Sequence, residues 1–145
     1  MAKLRVFLDS SVIIAALLSS RGGSFYIISE LREDFEFQTN EYGLREIQRT
    51  LANKFAHQLA LSSQLFLLLG MARIQTLPAP SKRERGQSAR YISVNDAPIL
   101  ASALKYSDAL VTLDKEFFNS SVAIVAERNN LKIVTPKEFI ETFRK

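Results

Sequence analysis

The chain has 145 residues, 47% of them hydrophobic, a formal net charge of +4 and no cysteine. That length fits a single domain spanning residues 1–145, large enough to bury a core of its own. The absence of cysteine excludes disulfides, thiolate metal sites and cysteine nucleophiles, and the lone histidine, His57, argues against zinc, so a bound metal would be held by oxygen.

Residues 3–8 read as a first strand ending at Asp9, and Ser10 or Ser11 caps a helix running to Leu18. The charge of Asp9 inside this apolar run argues against a signal peptide. Residues 24–32 read as a second helix and 35–38 as a short strand. Leu44, Ile47, Leu51 and Phe55 recur at helical spacing, which predicts a third helix from Tyr42. A fourth covers 58–70, and its apolar stretch is too short and too polar to span a bilayer. These exclusions predict a cytoplasmic protein with no membrane partner. Residues 73–77 are strand-like and stop at Pro78, and the basic segment 82–90 reads as loop. Asp96 caps a helix to Tyr106, and 109–113 form a buried strand ending at Asp114. A helix over 122–129, a strand over 132–135 and a last helix opened by Pro136 complete the chain. Alternating strands and helices predict an α/β fold, a three-layer α/β/α sandwich around a mostly parallel sheet of about five strands.

In an open parallel sheet, ligands gather beyond the carboxyl ends of the strands. Asp9 and Asp114 each follow an apolar strand at that edge, and Asp96 opens a helix that must begin there to lead into a parallel strand. Three carboxylates in one crevice repel each other, and hard divalent ions such as Mg²⁺ or Mn²⁺ relieve that repulsion through oxygen ligands. Each acid also has a plainer reading: a turn residue for Asp9 and Asp114, a helix cap for Asp96, and an ion-paired helix face for Glu46 between Arg45 and Arg49. Asp108 precedes its strand, at the opposite edge, and reads as a turn residue.

Three segments carry a resemblance. The first is the hydrophobic strand leading into Asp9, Ser10 and Ser11, with an apolar helix to Leu17. The second runs from Gly43 to Leu51 around Glu46. The third and most specific is Asp96-Ala97-Pro98-Ile99-Leu100-Ala101-Ser102-Ala103, followed by Val111-Thr112-Leu113-Asp114. In this order they resemble the PIN-domain nucleases of bacteria and archaea, many of which are toxins of toxin–antitoxin pairs.

The resemblance implies a metal-dependent endoribonuclease acting on single-stranded RNA. Its catalytic acids would be Asp9, Glu46, Asp96 and Asp114, with Asp9, Asp96 and Asp114 holding Mg²⁺ or Mn²⁺. Ser10, Thr112 and Glu116 would support them from behind, and His57 has no place in the scheme. Arg21, Lys82, Arg83, Arg85 and Arg90 are candidate contacts to RNA phosphates. The family pattern also implies an antitoxin laid over a groove between the helix of Phe25, Tyr26 and Ile28 and the helix after Tyr42, or a homodimer on the same surface. The rival readings are an RNA-processing nuclease outside toxin–antitoxin systems and a PIN-like binding module without turnover. A haloacid-type phosphatase would need Asp-x-Asp where the chain has Asp9-Ser10-Ser11, and a receiver domain would need an acidic pair at its first strand.

Overall fold

The computed structural model describes residues 2–143; Met1, Arg144 and Lys145 of the predicted domain lie outside the described residues. Five strands, β1 (Leu4–Leu8), β2 (Phe35–Asn40), β3 (Gln75–Leu77), β4 (Ala109–Val111) and β5 (Lys132–Val134), form one sheet in the order β3-β2-β1-β4-β5. Every pairing is parallel. The helices are α1 (Ser10–Leu18), α2 (Gly23–Glu30), α3 (Glu41–Lys54), α4 (Ala60–Met71), α5 (Lys82–Ser88), α6 (Ala97–Tyr106), α7 (Ser120–Arg128) and α8 (Pro136–Phe143).

The three layers follow from the strand pleat. Side chains alternate across a strand, and a sheet covered on both faces needs apolar residues at every position. Val6, Leu8, Ala109 and Val111 join one core with Ile13, Ile27, Ile47, Leu65 and Phe139 from α1, α2, α3, α4 and α8. Phe7 and Leu110 point the other way, into a second core with Leu100 of α6 and Val122 and Ala126 of α7. Phe35 closes the first core against the rings of Phe139 and Phe143, at centroid distances of 5.0 and 5.1 Å. No single helix among the described residues is long and apolar enough to cross a membrane.

Strand order reverses between β1 and β4, which makes that pair the topological switch point. In their register Leu8 faces Val111, and Asp9 N–H continues the ladder to Val111 O at 3.0 Å. The residues just past both strands, Asp9 and Thr112, are thereby set side by side. At the opposite edge Asp108 accepts Arg5 N–H at 2.9 Å, and that bond is the main reason its carboxyl is held below the ordinary range. Asp108 ties the amino ends of β1 and β4 and stays outside the crevice.

Four local expectations are corrected. Asp9 itself, not Ser10 or Ser11, caps α1, accepting Ser10 N–H at 2.9 Å. Residues 82–90, read as loop, contain α5, opened by a capping box in which Ser81 and Glu84 satisfy each other's backbone N–H groups. Strand β4 ends at Val111 rather than Leu113, leaving Leu113 half exposed beyond the sheet edge. Asp96 stands at the start of α6 without capping it; its side chain accepts a hydrogen bond from Ser93 Oγ at 3.0 Å.

Two glycines stand at close approaches. A Cβ on Gly43 would lie 3.0 Å from Thr39 Oγ1 and 3.3 Å from Ile99 Cδ1, so a side chain there would press on both neighbours where α3 leaves β2 beside α6. A Cβ on Gly23 would lie 3.2 Å from Ile140 Cδ1, where α2 starts against α8.

Candidate active site

The site assembles at the carboxyl ends of β1 and β4. Asp9 is almost fully buried, at 4% exposure. Its Oδ1 accepts Ser10 N–H, and its Oδ2 accepts Ser11 Oγ at 2.8 Å and Thr112 Oγ1 at 2.7 Å. A carboxylate offers about four acceptor positions, so these three bonds leave Asp9 roughly one for a further ligand. Burial pushes its carboxyl up and the charge of Glu46 adds to the rise, while the three hydrogen bonds oppose it.

Glu46 reaches this cluster from α3, where it accepts a hydrogen bond from Ser10 Oγ. Its neighbour Arg45 lies instead 3.9 Å from Glu41, one turn back. Asn40 orients the start of α3: its Oδ1 accepts Gly43 N–H at 2.8 Å, and its Nδ2 donates to Ser102 Oγ at 2.7 Å and to Pro98 O at 3.2 Å. These bonds lock α3 and α6 together at the carboxyl edge.

Thr112 couples Asp9 to the other half of the site. Besides donating to Asp9, its Oγ1 accepts Asp114 N–H at 3.0 Å. Asp114 Oδ1 in turn accepts Glu116 N–H at 3.0 Å, opening a short 3₁₀ turn over Lys115–Phe118. The outcome is a trio: one carboxylate oxygen each from Asp96, Asp114 and Glu116 lies within 4.8 Å of the others. Burial is the first cause that pushes Asp96 up to about 7, followed by its hydrogen bond with Glu116 and the charges of Asp114 and Glu116. Glu116 is held below the ordinary range, chiefly by accepting from Asp96 and then from Ser93.

All four predicted catalytic acids therefore come to one edge, in two linked groups. Of the predicted metal ligands, Asp96 and Asp114 stand in the trio with Glu116, which the sequence reading set behind the ligands. Asp9 joins them through Thr112. The donor set is oxygen alone and concentrates negative charge, which suits a hard divalent cation. Sequence reasoning missed Ser11, Ser93 and Asn40. Asn40 carried a signal, an Asn directly before a helical pattern. Ser93, three residues before Asp96, and Ser11, two after Asp9, stand where a hydroxyl can reach a neighbouring carboxylate.

The basic candidates are dispersed. Arg21 is exposed in the turn before α2, and Lys82 and Arg83 are exposed on α5. Arg85 donates to Pro80 O at 3.0 Å, and Arg90 borders a cavity of about 440 Å³ between α5, α6 and α7. Glu84 pairs with Lys105 at 3.0 Å. Lys105 stands nine residues beyond Asp96, about 13 Å along the helix axis, so Lys82 and Arg83 begin α5 near the far end of α6. His57 is exposed beside Gln58, between α3 and α4. The predicted apolar groove also shifts. Ile28 is fully buried, and a cavity of about 600 Å³ opens between Leu17, Leu18 and Phe25 on one side and Leu67, Leu68 and Met71 on the other. Its far wall is α4 rather than α3, because α3 turns Ile47 and Leu51 into the core.

Fold and site together define a parallel-sheet α/β protein with a carboxylate-lined crevice at its switch point. The chain belongs to the PIN-domain family, whose pattern it matches over residues 6–123. That span contains every acid of the crevice, and membership supports a nuclease activity. The fold is similar to that of VapBC2 from Rickettsia felis, solved bound to a DNA fragment from its promoter, at a TM-score of 0.68 and 18% identity, covering 91% of this chain and 98% of that one. It is equally similar to PAE2754 from Pyrobaculum aerophilum, at a TM-score of 0.68 and 18% identity, with 96% and 88% covered. At that identity the likeness speaks for the fold. No curated protein matches the chain by sequence.

Proposed function

We propose that the chain is an Mg²⁺- or Mn²⁺-dependent endoribonuclease that cleaves single-stranded RNA, and that it is the toxin of a toxin–antitoxin pair. The observation that carries the nuclease reading is the trio of Asp96, Asp114 and Glu116, tied to Asp9 through one hydroxyl. Asp96, Asp114, Glu116 and Asp9 would hold the cation, with Glu46 completing the negative wall beside Ser10. A divalent ion supplies charge neutralisation on the phosphoryl oxygens and lowers the pKa of a water nucleophile. The chain's own part is to fix the acids: Ser11 and Thr112 orient Asp9, Ser93 orients Asp96, and the 3₁₀ turn holds Glu116 over Asp114. Arg21, Arg90, Lys82 and Arg83, dispersed away from the acids, would contact only the RNA backbone that runs on beyond this acidic centre.

Family membership and the likeness to VapBC2 support the toxin reading. The apolar cavity against α4 suits an antitoxin segment or a second copy of the chain, since Phe66 and Leu67 on that helix are 58% and 72% exposed. Residence in the cytoplasm accords with both an RNA substrate and such a partner.

Incubating the purified chain with single-stranded RNA tests the reading. Cleavage should require Mg²⁺ or Mn²⁺, stop with chelator and disappear in Asp96→Asn. Cleavage that persists in excess chelator would overturn it. Activity without growth arrest on expression would favour an RNA-processing nuclease outside toxin–antitoxin systems.

A further inference from the structure

A groove of about 620 Å³ runs between α1 and α8, lined by Ala15, Leu113, Pro136, Lys137, Ile140 and Glu141 among others. That size lies within the roughly 300–1,000 Å³ range of small-ligand clefts. It opens at the same sheet edge as the carboxylates, because Leu113 follows β4 and Pro136 follows β5. The connection to the acids is direct. Leu113 N–H donates to Ser11 Oγ at 3.1 Å, and the same hydroxyl donates to Asp9. Leu113 itself sits between Thr112 and Asp114, and half of its surface is exposed.

Ala15, Leu113, Pro136 and Ile140 give this groove apolar surface, Gly22, Gly23 and Ser24 at the start of α2 narrow side chains, and Lys137 and Glu141 its charges. Helix α8 turns Phe139 into the core against Phe35, while Lys137, Ile140 and Glu141, spaced three and four apart, share the face toward the groove. An apolar slot that begins beside a phosphodiester-cleaving centre has the chemistry of a base pocket. A base taken out of its stack packs between aromatic or apolar side chains. Lys137 supplies a cation for the adjoining phosphate, and Glu141 an acceptor for a base amino group.

We propose that the groove between α1 and α8 is a nucleobase subsite, which takes one base of the RNA strand whose backbone crosses the acidic crevice. This rests on the nuclease reading above and assigns the position of the substrate next to the scissile phosphate.

Asp96→Asn, which suppresses turnover and leaves the groove unchanged, is titrated by calorimetry with a four-nucleotide single-stranded RNA and with an abasic chain of equal length. Saturable binding of the RNA is expected, with affinity for the abasic chain weaker by about fivefold, the low end of what one stacked base is worth. Leu113→Ser in the same background should remove that difference, and Lys137→Glu should weaken binding of both chains. Equal binding of both chains, or a difference that survives Leu113→Ser, would overturn the subsite. The outcome is separable from that of the parent reading: cleavage by the unsubstituted chain with equal binding of both chains removes the subsite alone. Base-dependent binding without cleavage by the unsubstituted chain leaves a base-binding groove on an inactive module.

Discussion

Asp9 and Asp114 are joined through a single hydroxyl, that of Thr112, which donates to Asp9 Oδ2 at 2.7 Å and accepts Asp114 N–H at 3.0 Å. Parallel pairing alone would set the ends of β1 and β4 side by side; Thr112 turns that adjacency into a fixed spacing of two acids. Thr112→Val keeps the shape and removes both bonds. It should lower kcat/KM about 10- to 100-fold, the usual cost of losing a group that orients a ligand. It should also destabilise the fold by about 1–3 kcal/mol, because a buried carboxylate loses a donor. Thr112→Ser should recover most of the activity, and steady-state kinetics on RNA with urea melts checks both effects.

Asp96 makes the site sensitive to pH. Its folded value of about 7 lies above its ordinary one, with burial the first cause. Between about 4 and 7 the unfolded chain therefore binds fewer protons than the native one, and the contribution of Asp96 to stability is lost as pH rises through that window. Without metal, Asp96→Asn should raise Tm at pH 8 by a few degrees and change little at pH 4. Cation affinity of the unsubstituted chain should climb over the same window as Asp96 ionises. A Tm difference independent of pH would contradict this assignment.

Metal should reverse that balance. A cation present at about 100 times its Kd stabilises the native state by about 2.7 kcal/mol. Thermal melts in Mn²⁺ and in chelator should separate by that amount in the unsubstituted chain and nearly coincide in Asp114→Asn. Glu116→Gln distinguishes a direct ligand from a supporting group. As a direct ligand it should weaken Mn²⁺ binding by more than about 100-fold, beyond the roughly 10- to 100-fold that loss of a supporting group costs, read by calorimetry.

Thr39 offers a stability test away from the chemistry. Its hydroxyl is fully buried with no hydrogen-bond partner among the described residues, close under Gly43. Thr39→Val has the same shape without the stranded polar atom and should stabilise the chain by about 1 kcal/mol. Denaturant midpoints at constant m-value would register the gain.

Much of this was legible in the residues. Among the described residues, every strand and seven of the eight helices were marked by apolar period or by breakers such as Pro78 and Pro136, because burial on two faces forces apolar runs and helical spacing forces i, i+4 recurrence. The exception, α5, carried the capping signature Ser81 to Glu84, but its run of charges resembled a solvated loop. The apolar groove was displaced by one helix because α3 and α4 both carry apolar residues, and their spacing does not say which helix lies deeper in the core.

From sequence alone, Asp9, Asp96 and Asp114 had to meet at one sheet edge, since a parallel strand order sends every strand end and helix start there. Their chemical partnership was a matter of tertiary structure. Register set Leu8 against Val111 and so brought the Thr112 hydroxyl to Asp9. The turn after β4 swung Glu116 over Asp96, and Ser93 drew Asp96 away from its capping role. Each of these depends on side-chain reach across the fold, with hydrogen bonds around 3 Å long between residues up to 103 positions apart, and no local pattern encodes such a distance.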